Sequence, residues 1–257
     1  MVKQLSEKSK MKFKRGIFIA PSLLTTCSIF CGFYSIIATI NGRFYEAAVA
    51  IIVAGFFDIF DGRVARLMHS SSEFGFHLDT LADVISFGLA PSILIYSWVL
   101  KPFGRLGWMA AFLYVICGVM RLARFNTQKR IAKTSQFIGL PIPAAAGLIA
   151  STVVFTRDIF SIEKLEPIVI LGLAYLLAFL MVSNIKYPSF KNVDLRDKKP
   201  FKIFFYFVLI VYIIATIPQI SFFLIGVTYL LSGPFQKIFS GKMYHITHPF
   251  KNIKRKH

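Results

Sequence analysis

Charge is scarce in this sequence, and negative charge is the scarcest. Only 16% of the 257 residues are Asp, Glu, Lys or Arg, with 12 acidic residues against 30 basic ones. Soluble domains carry about 25% charged residues, so the chain fits neither a water-soluble enzyme nor a charged coiled coil nor a disordered tail. Cysteine is sparse as well. Cys27, Cys31 and Cys117 are odd in number and lie inside apolar runs, which supplies neither a disulfide framework nor a zinc site; they read as small hydrophobes. Strand-like alternation and internal repeats are missing too. No cleavable signal peptide is expected, because the Lys-rich start leads into an apolar run long enough to span a membrane and followed by others.

Apolar residues are what the chain has in excess: 56% of the total, 28 Phe among them, at a mean hydropathy of +0.63. A net charge of +18 on such a chain does not suit a soluble nucleic-acid binder, and no nucleic-acid partner is expected. It suits loops lying against anionic membrane lipids. Runs approaching the ~20 apolar residues that cross a bilayer fall near 16–40, 44–68, 74–99, 106–126, 140–159, 166–184, 201–217 and 219–233, the last two short and meeting at Ile217-Pro218-Gln219. Laid out as eight alternating spans with the N-terminus in the cytoplasm, they place 25 of the 30 Lys and Arg on the cytoplasmic face, as the positive-inside rule requires. The expected fold is an all-α polytopic membrane protein, a bundle of six to eight transmembrane helices at 16–233. Basic cytoplasmic segments at 1–15 and 234–257 flank it.

Membrane helices avoid carboxylates, since a central Asp costs about 2.5–3.5 kcal/mol on insertion scales. Yet Asp58, Asp61, Asp79 and Asp83 fall at the end of the second run and the start of the third. Uncompensated, four would cost on the order of 10 kcal/mol, comparable to a domain's whole stability. Asp58 and Asp61 are three apart and Asp79 and Asp83 four apart, so each pair shares one face of its helix. Two antiparallel helices can then enclose one or two divalent cations. Hard oxygen ligands without His or Cys favour Mg²⁺, Mn²⁺ or Ca²⁺. The alternative is a structural salt-bridge cluster with Arg63 and Arg66, although two arginines cannot neutralise four carboxylates. Gly62, Ala65 and Gly75 beside the acidic cluster leave backbone open to a bulky group or serve helix packing. Arg66 is suited to grip a phosphate bidentately.

Asp58-Ile-Phe-Asp61-Gly62-Arg-Val-Ala65-Arg66, eight residues, then Gly75-Phe-His-Leu-Asp79-Thr-Leu-Ala-Asp83 resembles the signature D-x-x-D-G-x-x-A-R-x₈-G-x-x-x-D-x-x-x-D of the CDP-alcohol phosphotransferase family. Met120-Arg121-Leu-Ala-Arg124-Phe125-Asn126 and Gly139-Leu-Pro141-Ile-Pro143-Ala resemble segments of its phosphatidylserine synthase branch. The resemblance implies transfer of a phosphatidyl group from CDP-diacylglycerol to the hydroxyl of L-serine, with release of CMP. It further implies a homodimer and a multi-pass protein of the cell membrane with its site facing the cytoplasm. Asp58, Asp61, Asp79 and Asp83 would be the metal ligands, with Asp83 also the general base. Asp58, Gly62, Ala65, Arg66 and Gly75 would be the nucleotide-side positions. The family's first helix often reads Pro-Asn-x-x-Thr, whereas this one reads Pro21-Ser22-Leu-Leu-Thr25, so the asparagine's contact does not carry over and Thr25 alone stands as a nucleotide neighbour.

Arg121 and Arg124 lie three apart at the cytoplasmic end of the fourth run, hence on one helical face. One is expected to bind the serine carboxylate and the other the lipid phosphate, with Asn126 adding an amide; the alternative is a topological anchor like Lys129 and Arg130. Three other activities compete: the same fold with glycerol 3-phosphate or inositol phosphate as acceptor, an archaeal ether-lipid donor, and a divalent-cation path. The cation path is disfavoured because no acidic residue marks the other half of the bundle.

Overall fold

A computed structural model describes residues 2–67, 73–131, 137–160, 166–187 and 216–246, with the single positions 208 and 212. Among the described residues there are seven helices and one two-residue ladder. Helix α1 covers Val2–Ile40, α2 Phe44–Leu67, α3 the continuous run Glu73–Phe103 and α4 Arg105–Ile131. Helix α5 covers Ile142–Phe160, α6 Pro167–Val182 and α7 Pro218–Ile246. Seven of the eight expected runs are thus helical, and the eighth, 201–217, lies almost wholly outside the described residues. Four stretches are long and apolar enough to cross a membrane: Pro21–Ile40, Glu73–Phe103, Arg105–Thr127 and Pro218–Gln236. Helix α2 is not among them, carrying Asp58, Asp61 and Arg63 near its end, and α6 is short at 16 residues. Large side chains such as Phe30, Phe33, Phe112 and Phe179 are exposed on the bundle's outside, the surface a bilayer would cover.

The α1–α2 hairpin turns on Gly42, whose φ of 74° is open chiefly to glycine. Arg43 N donates to Ala38 O at 2.8 Å and Gly42 N to Thr39 O at 3.0 Å, the paired bonds of a Schellman stop. Below the turn α1, α2 and α3 meet through small residues. Ser28 Oγ donates to Ala54 O and Ser86 Oγ to Ser28 O at 2.9 Å, while Ala38, Ala47 and Ala54 are fully buried. Small residues let membrane helices approach closely, and their hydroxyls bond across the gap.

At Gly32 α1 lies close against α3: a Cβ there would stand 2.6 Å from Ser86 Oγ and 2.8 Å from Ser86 Cα. Gly32→Ala is therefore expected to lower the melting temperature, since overpacking costs about 1–3 kcal/mol. A melting curve matching wild type would mean that the two helices part freely.

Helix α3 is not uniform. It widens into π turns at Val84–Leu89 and Tyr96–Leu100. Pro91 has no N–H, and in an α-helix its ring would press on the Phe87 carbonyl four residues back. The wide turn accommodates the ring, and the fully buried Tyr114 of α4 donates its hydroxyl to Phe87 O at 3.0 Å. The first π turn opens immediately after Asp83.

Helices α4 and α6 pack together, and α5 lies between α2 and α7. The link into α5 is tied to the end of α6. Phe137–Ile138 (β1) pairs antiparallel with Lys186–Tyr187 (β2), Gly139 N donates to Ile185 O and Leu140 N to Leu180 O. At φ 81° and with Met181 O only 2.2 Å from any added Cβ, position 139 accepts glycine alone.

Candidate active site

Helix α2 delivers Asp58 and Asp61 from its last turns, and α3 delivers Asp79 and Asp83 from its first ones. One carboxylate oxygen each from Asp58, Asp61 and Asp79 lies within 4.8 Å of the others. The donor set is all carboxylate, and Asp61 is 4% exposed. Three acidic groups held this close repel one another unless a cation lies among them. Among the described residues neither Asp58 nor Asp61 has a salt-bridge partner, and Arg63 is exposed. The arrangement could hold a hard divalent ion.

Asp83 stands apart from the three. It is close enough to Asp58, Asp61 and Asp79 for the four carboxylates to act on one another electrostatically. Among the described residues its Oδ1 is buried with no hydrogen-bond partner, and so is Nε of Arg121. Arg121 is itself buried at 6% exposure, acts electrostatically on Asp83 and has its guanidinium 5.9 Å from the centre of the Phe125 ring. A buried carboxylate oxygen and a buried guanidinium nitrogen, both unsatisfied, are costly and mark where a polar ligand fits.

The remaining expected residues separate. Thr25, 5% exposed, has its hydroxyl 2.9 Å from Asp61 Oδ2 and 3.0 Å from Pro21 O, so it donates to a carboxylate of the cluster. Among the described residues, a Cβ at Gly62 would meet nothing within 4 Å, which leaves room beside the backbone there. Gly75 is half-buried in the first turn of α3. Ala65 and Arg66 are in the last turn of α2, and their side chains lie outside the described residues. Arg124 is turned to the end of α6: its guanidinium donates to Asn184 Oδ1 at 2.6 Å and Val182 O at 3.4 Å. Asn126 donates from Nδ2 to Thr80 Oγ1 at 3.1 Å, which ties α4 to α3 beside Asp79.

Beside the carboxylates runs an almost wholly apolar groove of about 650 Å³. Helices α2, α5 and α7 form its walls, with Ile51, Phe56, Leu148, Phe222 and Ile225 among the lining residues and Asp58 and Tyr229 as its polar members of note. Tyr229 was not legible as a site residue. In sequence it is one more tyrosine near the end of an apolar run, a place where tyrosine marks the membrane interface.

The apolar groove and the carboxylate cluster meet at Asp58, which belongs to both. Residues 18–183 match the family model described as CDP-alcohol phosphatidyltransferase. The chain belongs to that family. The matched stretch contains all four aspartates, Thr25, Arg121, Arg124 and Asn126, and it ends before α7. Among curated proteins, the chain is similar to CDP-diacylglycerol–serine O-phosphatidyltransferase of Helicobacter pylori strain J99, at 42% identity over 69% of this chain and 75% of that protein. The protein of the same name from Bacillus subtilis strain 168 is 36% identical over 67% of this chain and 91% of its own length. Archaetidylserine synthase of Methanothermobacter thermautotrophicus is 38% identical over 66% and 70%.

Proposed function

We propose that the protein transfers the phosphatidyl group of CDP-diacylglycerol to the hydroxyl of L-serine, giving phosphatidylserine and CMP. The observation that carries this reading is the junction of the carboxylate cluster with the apolar groove at Asp58. Relatives named for this reaction, at 36–42% identity, support it. Asp58, Asp61 and Asp79 would hold Mg²⁺ or Mn²⁺, one ion or two. When bound, the metal neutralises the pyrophosphate and stabilises the departing CMP.

The protein's own groups do the rest. The groove takes the acyl chains and leaves the phosphate at its polar end, beside the carboxylates. The open backbone at Gly62, with Thr25, Ala65, Arg66 and Gly75, lies on the nucleotide side. Arg121 holds the serine carboxylate and so directs the hydroxyl toward Asp83. Asp83 Oδ1 accepts the hydroxyl proton as the serine oxygen attacks the lipid-side phosphorus. The bond from that phosphorus to the CMP oxygen breaks, and CMP leaves with the electron pair. A carboxylate is a weak base for an alcohol, so proton transfer is concerted with attack.

The charge bias of the sequence supports six to eight spans with the N-terminus and the site on the cytoplasmic side of the cell membrane. On this reading the transmembrane domain is 16–233, and the basic segments 1–15 and 234–257 touch anionic lipid headgroups. The family resemblance adds a homodimer. The archaeal relative favours one second reading, a diether donor with the same acceptor.

CMP release by purified protein tests the reading, with Mn²⁺ or Mg²⁺ and either CDP-diacylglycerol or its diether counterpart. The acceptors are L-serine, glycerol 3-phosphate, inositol phosphate or none. Serine-dependent release is expected. Release only with a phosphorylated acceptor would overturn the acceptor, and release only from the diether would change the donor.

A further inference from the structure

Helix α7 begins 35 residues beyond the end of the family match, yet it forms a wall of the groove. Phe222, Ile225, Gly226, Tyr229 and Ser232 all line it, at spacings that put them on one helical face. Most of that face is apolar or small. Ser232 donates its hydroxyl to Tyr229 O at 2.7 Å, whereas Tyr229 brings a phenol to a groove that Asp58 also lines. Tyr229 and Arg121 are close enough to act on each other electrostatically, and Arg121 acts in turn on Asp83.

The Tyr229 ring is also held in place. Tyr187, 1% exposed, packs against it with centroids 5.5 Å apart and a tilt of 32°. Tyr187 is itself wedged against α7: its hydroxyl reaches Leu230 O at 3.4 Å, and its ring occupies the space a Cβ on Gly233 would need, 2.4 Å away. Leu148 of α5 fills the corresponding space at Gly226, 3.0 Å from such a Cβ. Two glycine contacts thus fix α7 against α5 and β2, and they present a pre-set phenol at the groove. A donor whose rotamer is already locked loses little entropy on binding.

Resting on the donor assigned above, we propose that Tyr229 is a donor-recognition residue whose hydroxyl donates a hydrogen bond to the lipid-side phosphate of CDP-diacylglycerol lying in the groove. Tyrosine is suited to this position. Its ring continues the apolar wall, and its hydroxyl meets a phosphodiester, which has oxygens to accept and no proton to give. The acceptor alcohol comes to Asp83, whereas Tyr229 lines the space where the lipid lies, so its contact is with the donor.

Binding to the full chain in nanodiscs with Mn²⁺ tests this without any acceptor, using CDP-diacylglycerol and CMP as the two probes. CMP lacks the lipid-side phosphate. Tyr229→Phe keeps the ring and removes only the hydroxyl. It is expected to weaken CDP-diacylglycerol binding about tenfold, the effect of losing a hydrogen bond to a charged group, and to leave CMP affinity and the melting temperature as in wild type. Equal weakening of both probes, or of neither, would overturn the proposal. So would a rise in serine KM with donor binding intact, which would make Tyr229 a positioning residue for Arg121. Wild-type protein that binds CDP-diacylglycerol but does not turn over serine would remove the acceptor reading and leave the Tyr229 comparison standing.

Discussion

Asp83→Asn is expected to lower CMP release by about 10²–10⁴-fold, the range that positioned general bases contribute, while binding of CDP-diacylglycerol changes little. Asparagine has the shape of aspartate, so the π turn after residue 83 has no steric reason to move. What is lost is the basic oxygen: among the described residues Oδ1 is buried without a partner, and an amide oxygen does not take a proton from an alcohol at neutral pH. The variant's melting temperature is expected to equal or exceed that of wild type, because one of four mutually repelling carboxylates has been removed. A site that gains stability on losing its function is one where strain had been kept for chemistry. Asp61→Asn gives the contrast. Asp61 is one of the three carboxylates whose oxygens gather within 4.8 Å, so its loss is expected to raise the Mn²⁺ concentration needed for half-maximal activity, and added Mn²⁺ restores part of the rate. If Mn²⁺ also restored Asp83→Asn, Asp83 would be a ligand first and the base would have to be sought elsewhere.

The residues that the sequence exposes best are those whose cost is visible without neighbours. A carboxylate in an apolar run is conspicuous anywhere, and helical spacing alone puts Asp58 beside Asp61. Their convergence with Asp79 follows from two helices meeting through a short link. Glycine is different, because its meaning depends on what faces it. Gly32 and Gly62 look alike in sequence, yet one is pressed against Ser86 and the other faces open space. Tyr229 is invisible for the same reason. Its role depends on α7 packing against α5 and on Tyr187 behind it, relations between segments some 40 to 80 residues apart. The π turns of α3 were not legible either, since Pro91 announces a disturbance but not that Tyr114 would supply the missing donor. Span number stays with composition: four stretches qualify outright, and helices such as α2 carry the charges that disqualify them because those charges form the site.

Arg121 and Arg124 show how far spacing can mislead, and they give the second large expected effect. Arg121→Lys is expected to raise serine KM by about tenfold or more with donor binding unchanged, whereas Arg124→Lys is expected to leave serine KM alone and lower the melting temperature. Both arginines sit near the end of α4, three residues apart, but that offset leaves them about 60° apart around the helix axis, enough to face different neighbours. Arg124 reaches the end of α6 and uses its fork on Asn184 and Val182, so lysine there loses a planar two-point contact between helices. Arg121 remains with Asp83, buried, its Nε without a partner among the described residues. Lysine at 121 keeps the positive charge opposite Asp83, so the fold does not lose its compensation, but a single ammonium cannot grip a carboxylate with two parallel bonds. The deficit then falls on the acceptor, where about 1.5–3 kcal/mol is at stake for a charged hydrogen bond. Unchanged serine KM with a reduced kcat would show instead that Arg121 acts on the phosphate in the transition state. The serine carboxylate would then need another partner, and Arg124 could serve only by leaving Asn184.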